Sequence, residues 1–142
     1  MRGPPGRPAA AAIVMGHLTL HATGPAAPET VWRRYARVDE WASWSPQVKT
    51  VQAADRRLRA GLRGTVQSPV GIRAAFVVEA VDHDRRTWAW RVRLGPVRLR
   101  LHHEVRAHAR GSTTSLTMTG PRLAVLAYAP LAHLALRRLV RP

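Results

Sequence analysis

The side chains here that could do chemistry are seven histidines, eight carboxylates and 23 basic residues, of which only Lys49 is a lysine; cysteine is absent. Without thiols there is no disulfide, no thiolate metal site and no cysteine nucleophile. His83, His102, His103 and His108 are the candidate metal ligands. His102 and His103 are adjacent in an extended run, so they point to opposite faces and cannot share an ion. Gly61-Leu62-Arg63-Gly64 lacks the phosphate-loop spacing and opens no helix, and no serine stands in a nucleophile-elbow context. The sequence therefore asks for neither metal nor cofactor. Two chemistries remain: acid–base work at a histidine, with His103 the candidate, and anion binding by arginine.

Those residues must be positioned by elements that the apolar pattern and the breakers define. Ala12–Ala22 reads as a strand ended by Gly24-Pro25. Pro28–Tyr35 reads as a helix, with Pro28 and Glu29 in its first turn. A second short helix spans Asp39–Ser43, with Asp39 as its N-cap, and Pro46 stops it near Trp44. Six strands follow: Val48–Ala54, Gly61–Ser68, Ile72–Val81, Arg86–Leu94, Val97–His108 and Ser112–Thr119. Their connections are too short for parallel crossovers, so neighbours run antiparallel. Arg122–Arg141 is a long apolar helix with Pro130 inside it and basic residues at its end. A sheet of this size with one apolar face and one apolar helix is most simply closed by curling around that helix. The expected fold class is α+β.

The length suits a single domain over residues 12–142. Residues 1–11 read as a flexible tail or as translation from a start upstream of a true beginning at Met15. No segment reaches the apolar length of a membrane span, so the expected place is the cytoplasm, with a peripheral membrane position as the variant. A net charge of +15 with eight acids creates a positive field toward phosphates, anionic lipid or acidic partners.

The order of these elements, Pro28-x-x-Val31-Trp32 and Trp41-x-x-Trp44-Ser45-Pro46 resemble the START-like helix-grip superfamily. Its bacterial branch is the SRPBCC, or polyketide cyclase/dehydrase and lipid transport, family. Gly61, Val81-Asp82 before Trp88-Ala89-Trp90, and Gly111 match as well. The resemblance covers about Gly16 to Val140. It implies a seven-stranded antiparallel sheet gripping the last helix, with an apolar cavity between them.

Period-two alternation assigns the faces. Ala74, Phe76 and Val78 face in on one strand; Trp88, Trp90, Val92 and Leu94 do so on the next, and Leu99, Leu101, His103 and Val105 on the one after. Leu116 and Met118 complete the inner set. All eight carboxylates fall in loops, helices or outward positions, so His103 is the one titratable group of these strands that faces the cavity, and nothing visible orients it for acid–base work. A binding cavity needs only apolar walls and a few placed polar groups. The expected ligand contacts are Trp44, Phe76, Trp88, Trp90, Leu101, His103, Met118, Leu126, Tyr128 and Pro130. The expected function is binding of a small apolar or aromatic, lipid- or polyketide-like ligand. One alternative is a cofactor-free cyclase/dehydrase-like enzyme on the same cavity, with His103 and Tyr128 as its acid–base groups.

A second alternative is weak electrostatic binding of an anionic membrane or nucleic acid. Arg91, Arg93, Arg98, Arg100 and Arg106 face outward on two adjacent strands, with no aromatic residue among them to stack on bases. On the last helix, Leu123, Leu126, Ala127, Pro130, Leu131 and Leu134 recur at three- and four-residue spacing and are expected to face the sheet. On that placement Leu131→Asp would unfold the domain, and the turn before Pro130 would open to admit ligand.

Overall fold

The computed structural model describes residues 14–142; the expected N-terminal tail lies outside them. Strand β1 is Met15–Gly24, helix α1 Pro28–Ala36 and helix α2 Trp41–Trp44, preceded by a 3-10 turn at Val38–Glu40. Strands β2 (Thr50–Ala53), β3 (Arg63–Gln67), β4 (Arg73–Asp82), β5 (Thr87–Leu94), β6 (Val97–His108) and β7 (Gly111–Pro121) follow, and α3 runs Arg122–Leu139. The sheet order is β1-β7-β6-β5-β4-β3-β2, antiparallel throughout. This is the seven-stranded helix-grip fold: short hairpins join neighbours, and β1 closes onto β7 at one edge.

Asp39 is not the N-cap expected of it. It lies within the 3-10 turn and pairs with Arg37 at 3.3 Å. Pro46 does end α2 at Trp44, because its ring disfavours helical geometry in the residue before it.

The alternation holds on β5 and β6, where Trp88, Trp90, Leu101, His103 and Val105 are buried. A bulge in β4 between Val78 and Ala80 adds Glu79 and shifts the phase, so that Val81 pairs with Trp88 and faces inward. On the outside, the extra residue places Glu79 against Arg100 at 3.0 Å and Arg91 at 3.5 Å. Gly64 on β3 leaves room for the Phe76 ring of the adjacent strand, which a Cβ would meet at 2.7 Å.

The core has two parts. Helix α1 packs on β6 and β7 and covers the end of the sheet holding Trp88 and His103. Helix α3 packs on β1 and β7 through Val125, Ala132, Ala135, Leu136 and Leu139. Its C-terminal end is fastened by Arg34, whose Nη1 donates to the carbonyls of Leu139 at 2.6 Å and Arg141 at 2.7 Å. These bonds satisfy carbonyls that a helix end leaves unpaired. Of the face expected to meet the sheet, Leu123, Leu126, Pro130 and Leu131 are exposed, while Ala127 and Leu131 border the space between α3 and the sheet. Both stripes have helical spacing. Ala132 and Ala135 allow α3 to approach β1 and β7 closely, with Leu136 and Leu139 buried beside them, while Leu123 and Leu126 turn outward.

Candidate functional site

The N-terminal half of α3 stands over β5 and β6 without filling the space beneath it. A cavity of about 390 Å³ results. Its floor is Trp90, Val92, Leu99 and Leu101; Val66 and Ala74 close one side, and Ala124, Ala127 and Leu131 of α3 form the roof. Among the described residues, no carboxylate or arginine lines it. Ser45, Gln47, Ser68 and Tyr128 supply the polar atoms.

Two of those polar groups form a pair. Gln47 Nε2 donates to Tyr128 Oη at 2.6 Å, while the buried Gln47 Oε1 has no partner among the described residues. Turning the amide over would exchange the two atoms and orphan Nε2 instead, so either arrangement leaves one amide atom over. A buried polar atom without a partner costs about 1–3 kcal/mol, which a ligand hydroxyl, both donor and acceptor, would recover. Burial pushes the Tyr128 pKa up, with the Gln47 bond opposing it, so the phenol stays protonated. Pro46 brings the pair together by ending α2 and turning the chain toward α3.

His103 is elsewhere. Its ring is buried and stacks on Trp88 at 4.4 Å, with 8° between the planes. Trp90 Nε1 donates to His103 Nε2 at 3.0 Å, so Nε2 is the bare nitrogen and the proton sits on Nδ1. Nδ1 then donates to Tyr35 Oη at 3.2 Å. Tyr35 in turn donates to Thr114 Oγ1 at 2.7 Å, and Thr114 to the Glu104 carbonyl at 3.2 Å. Every proton in this chain has one consistent place, because a tryptophan can only donate and a backbone carbonyl can only accept. Burial, with a smaller contribution from His102, lowers the His103 pKa to about 3. Burial also holds the Tyr35 hydroxyl above its ordinary range.

Of the ten expected contacts, Trp90, Leu101 and Tyr128 line the cavity. Phe76, Trp88, His103 and Met118 are buried but do not line it. Phe76 and Trp88 pack on the Trp41 ring that α2 lays over the sheet. Trp44 is also core, its Nε1 donating to the Arg34 carbonyl at 3.2 Å, and it does not line the cavity. Leu126 and Pro130 lie on the outer side of α3. Alternation showed which residues face inward, but not which of them α1 and α2 cover. Gln47 went unread because a lone glutamine after a proline carries no periodic signal.

The arginine face is where alternation puts it. Arg91 pairs across strands with Arg100, and Arg93 with Arg98. Together with Arg63 these line an outer groove of about 640 Å³. Arg91 and Arg100 are engaged by Glu79, and Arg106 by Glu104 at 2.8 Å. His102 is exposed and His103 buried, on opposite faces of β6.

A family model described as polyketide cyclase / dehydrase and lipid transport matches residues 15–141. Among solved structures, Ara h 8.0201 superposes with a TM-score of 0.67 at 11% identity, covering 89% of this chain and 99% of the other. CV1439 from Chromobacterium violaceum gives a TM-score of 0.67 at 16% identity, covering 87% and 94%. At these identities the two likenesses show the fold alone. The comparison with curated proteins gives no match.

Proposed function

The chain belongs to the polyketide cyclase / dehydrase and lipid transport family, a family on a hydrophobic-ligand-binding fold, and from that premise we propose that it binds a small, uncharged, largely apolar molecule carrying one hydroxyl. The carrying observation is the Gln47–Tyr128 pair inside an otherwise apolar cavity, with one amide atom left unpartnered. The volume falls toward the lower end of the range for small-molecule sites, which favours a compact aromatic or a short chain. A charged ligand would meet no counter-charge on the wall and would lose its hydration.

The enzyme reading loses its histidine. His103 has both ring nitrogens occupied and does not line the cavity. Acid–base chemistry there would rest on Tyr128, which burial keeps protonated. Binding needs none of this.

Trp90 on the cavity floor provides the assay. Titration with 2-naphthol should quench its fluorescence, and naphthalene should bind about five- to ten-fold more weakly, as expected for loss of one buried hydrogen bond. Leu99→Trp, which fills the cavity, should abolish both titrations. Equal binding of the two probes, or their retention by Leu99→Trp, would refute the proposal.

A further inference from the structure

The large apolar side chains that remain exposed are gathered at one end of the molecule. Val70, at the tip of the β3–β4 turn, is 80% exposed, with Ile72 beside it at 51%; Leu94, at the β5–β6 turn, is 43% exposed. On α3 the exposed leucines are Leu123, Leu126 and Leu131, at 81%, 52% and 44%. Val14 and Met15, where β1 begins, complete the set. In this antiparallel sheet these turns and the start of α3 share the edge at which β4 and β6 begin and β5 and β7 end.

The cavity opens at the same end. Ile72, Leu94 and Leu131 line the cavity and are also exposed, so they form its mouth. Arg122 opens α3 at this edge, Arg73 follows Ile72, and Arg93 and Arg98 pair at the same edge on the outer face of the sheet; all four are exposed, and among the described residues none has a carboxylate partner within salt-bridge distance. The acids lie away from this edge: Asp82 and Asp84 are at the β4–β5 turn at the far end, and α3 contains none.

We propose that this end docks on a membrane surface containing anionic lipid. The two turns and the outer stripe of α3 enter the interface, the arginines meet lipid phosphates, and the cavity mouth faces the bilayer. An apolar stripe flanked by cationic side chains is the pattern of an element lying in the interface. Anionic lipid is favoured over a second copy of the chain because a copy would bring the same unneutralised arginines against this face. It is favoured over nucleic acid because six exposed aliphatic side chains in the turns and on α3 gain nothing from a phosphate backbone in water. The arginines then steer and hold, each strengthening attachment by about five-fold near an anionic surface.

The test uses the full chain and no cavity ligand, so it can fail or succeed independently of the ligand proposal. Co-sedimentation is measured with vesicles of phosphatidylcholine alone and with phosphatidylserine added. Binding is expected to the mixed vesicles and to be weak or absent with the neutral ones. Val70→Asp combined with Leu94→Asp should reduce it at least ten-fold. Arg98→Glu should reduce it several-fold, whereas Arg110→Glu, the same charge change at the far end, should matter much less. Circular dichroism confirms that each variant is folded. Equal losses for Arg98→Glu and Arg110→Glu would reduce the effect to net charge and overturn the proposal. So would binding to a short DNA duplex as tight as to vesicles and indifferent to Val70→Asp. A dimer in gel filtration that Val70→Asp dissociates, with no vesicle binding, would assign the face to a second copy instead.

Discussion

Replacing His103 by phenylalanine should weaken the fold at neutral pH and have almost no effect in mild acid. The ring fits the same slot and keeps its stack on Trp88, so the change removes mainly two hydrogen bonds. Trp90 Nε1 loses its acceptor and Tyr35 Oη the donor it accepts from. An orphaned buried donor costs about 1–3 kcal/mol, which with the lost Tyr35 contact gives about 2–4 kcal/mol at pH 7. The wild-type advantage is itself pH-dependent. Folding lowers the His103 pKa from 6.5 to about 3, so between those values the unfolded chain binds the extra proton. The contribution is full above about pH 6.5 and is lost as pH falls toward 3, by up to about 1.4 kcal/mol per unit. At pH 4.5 the loss is about 3 kcal/mol, enough to close the gap. Urea unfolding of both proteins at pH 7 and 4.5 reads this directly, and other titrating groups cancel in the comparison. A gap that stays constant with pH would refute the neutral, hydrogen-bonded His103. So would a variant of wild-type stability that had lost 2-naphthol binding.

Gln47→Leu combined with Tyr128→Phe removes both members of the pair, orphaning neither, and should leave stability unchanged or slightly raised, while 2-naphthol loses its five- to ten-fold preference over naphthalene; thermal melts and Trp90 quenching measure the two effects. Leu131→Asp should cost about 1 kcal/mol or less, because a side chain 44% exposed at the mouth stays hydrated. A denaturant titration showing an unfolded variant would restore the core placement expected from the sequence. Arg34→Met removes two charge-assisted bonds to the end of α3, worth about 2 kcal/mol, and calorimetry should show the melting temperature fall by about 4–8 °C. Hydrogen exchange should be faster from Leu123 to Ala129 than from Leu131 to Leu139, since Pro130 cannot bond to the Leu126 carbonyl, and 2-naphthol should slow the first segment. Uniform protection along α3 would contradict this.

Strand order and facing were legible because period two is unambiguous wherever one face is buried: Trp88, Trp90, Leu101 and His103 alternate with arginines and a histidine. The face of α3 was not legible. That helix is apolar almost all round, and Leu123/Leu126/Pro130 and Val125/Ala132/Ala135 both recur at helical spacings. Closeness of approach decides between them, and it is a property of the sheet rather than of the helix. His103 shows the other boundary. Its inward direction follows from alternation, but whether it meets ligand or core depends on Tyr35 and Trp41, which arrive from α1 and α2. The Gln47–Tyr128 contact joins residues 81 positions apart, and no local rule pairs them.

Native mass spectrometry of the protein purified from its source reads the occupant of the cavity itself. The expected result is a co-purified, uncharged, predominantly apolar compound bearing a hydroxyl, at one equivalent or less, and its loss from Leu99→Trp purified in the same way. A charged or strongly polar adduct, or the same adduct retained at the same occupancy by folded Leu99→Trp, would contradict it.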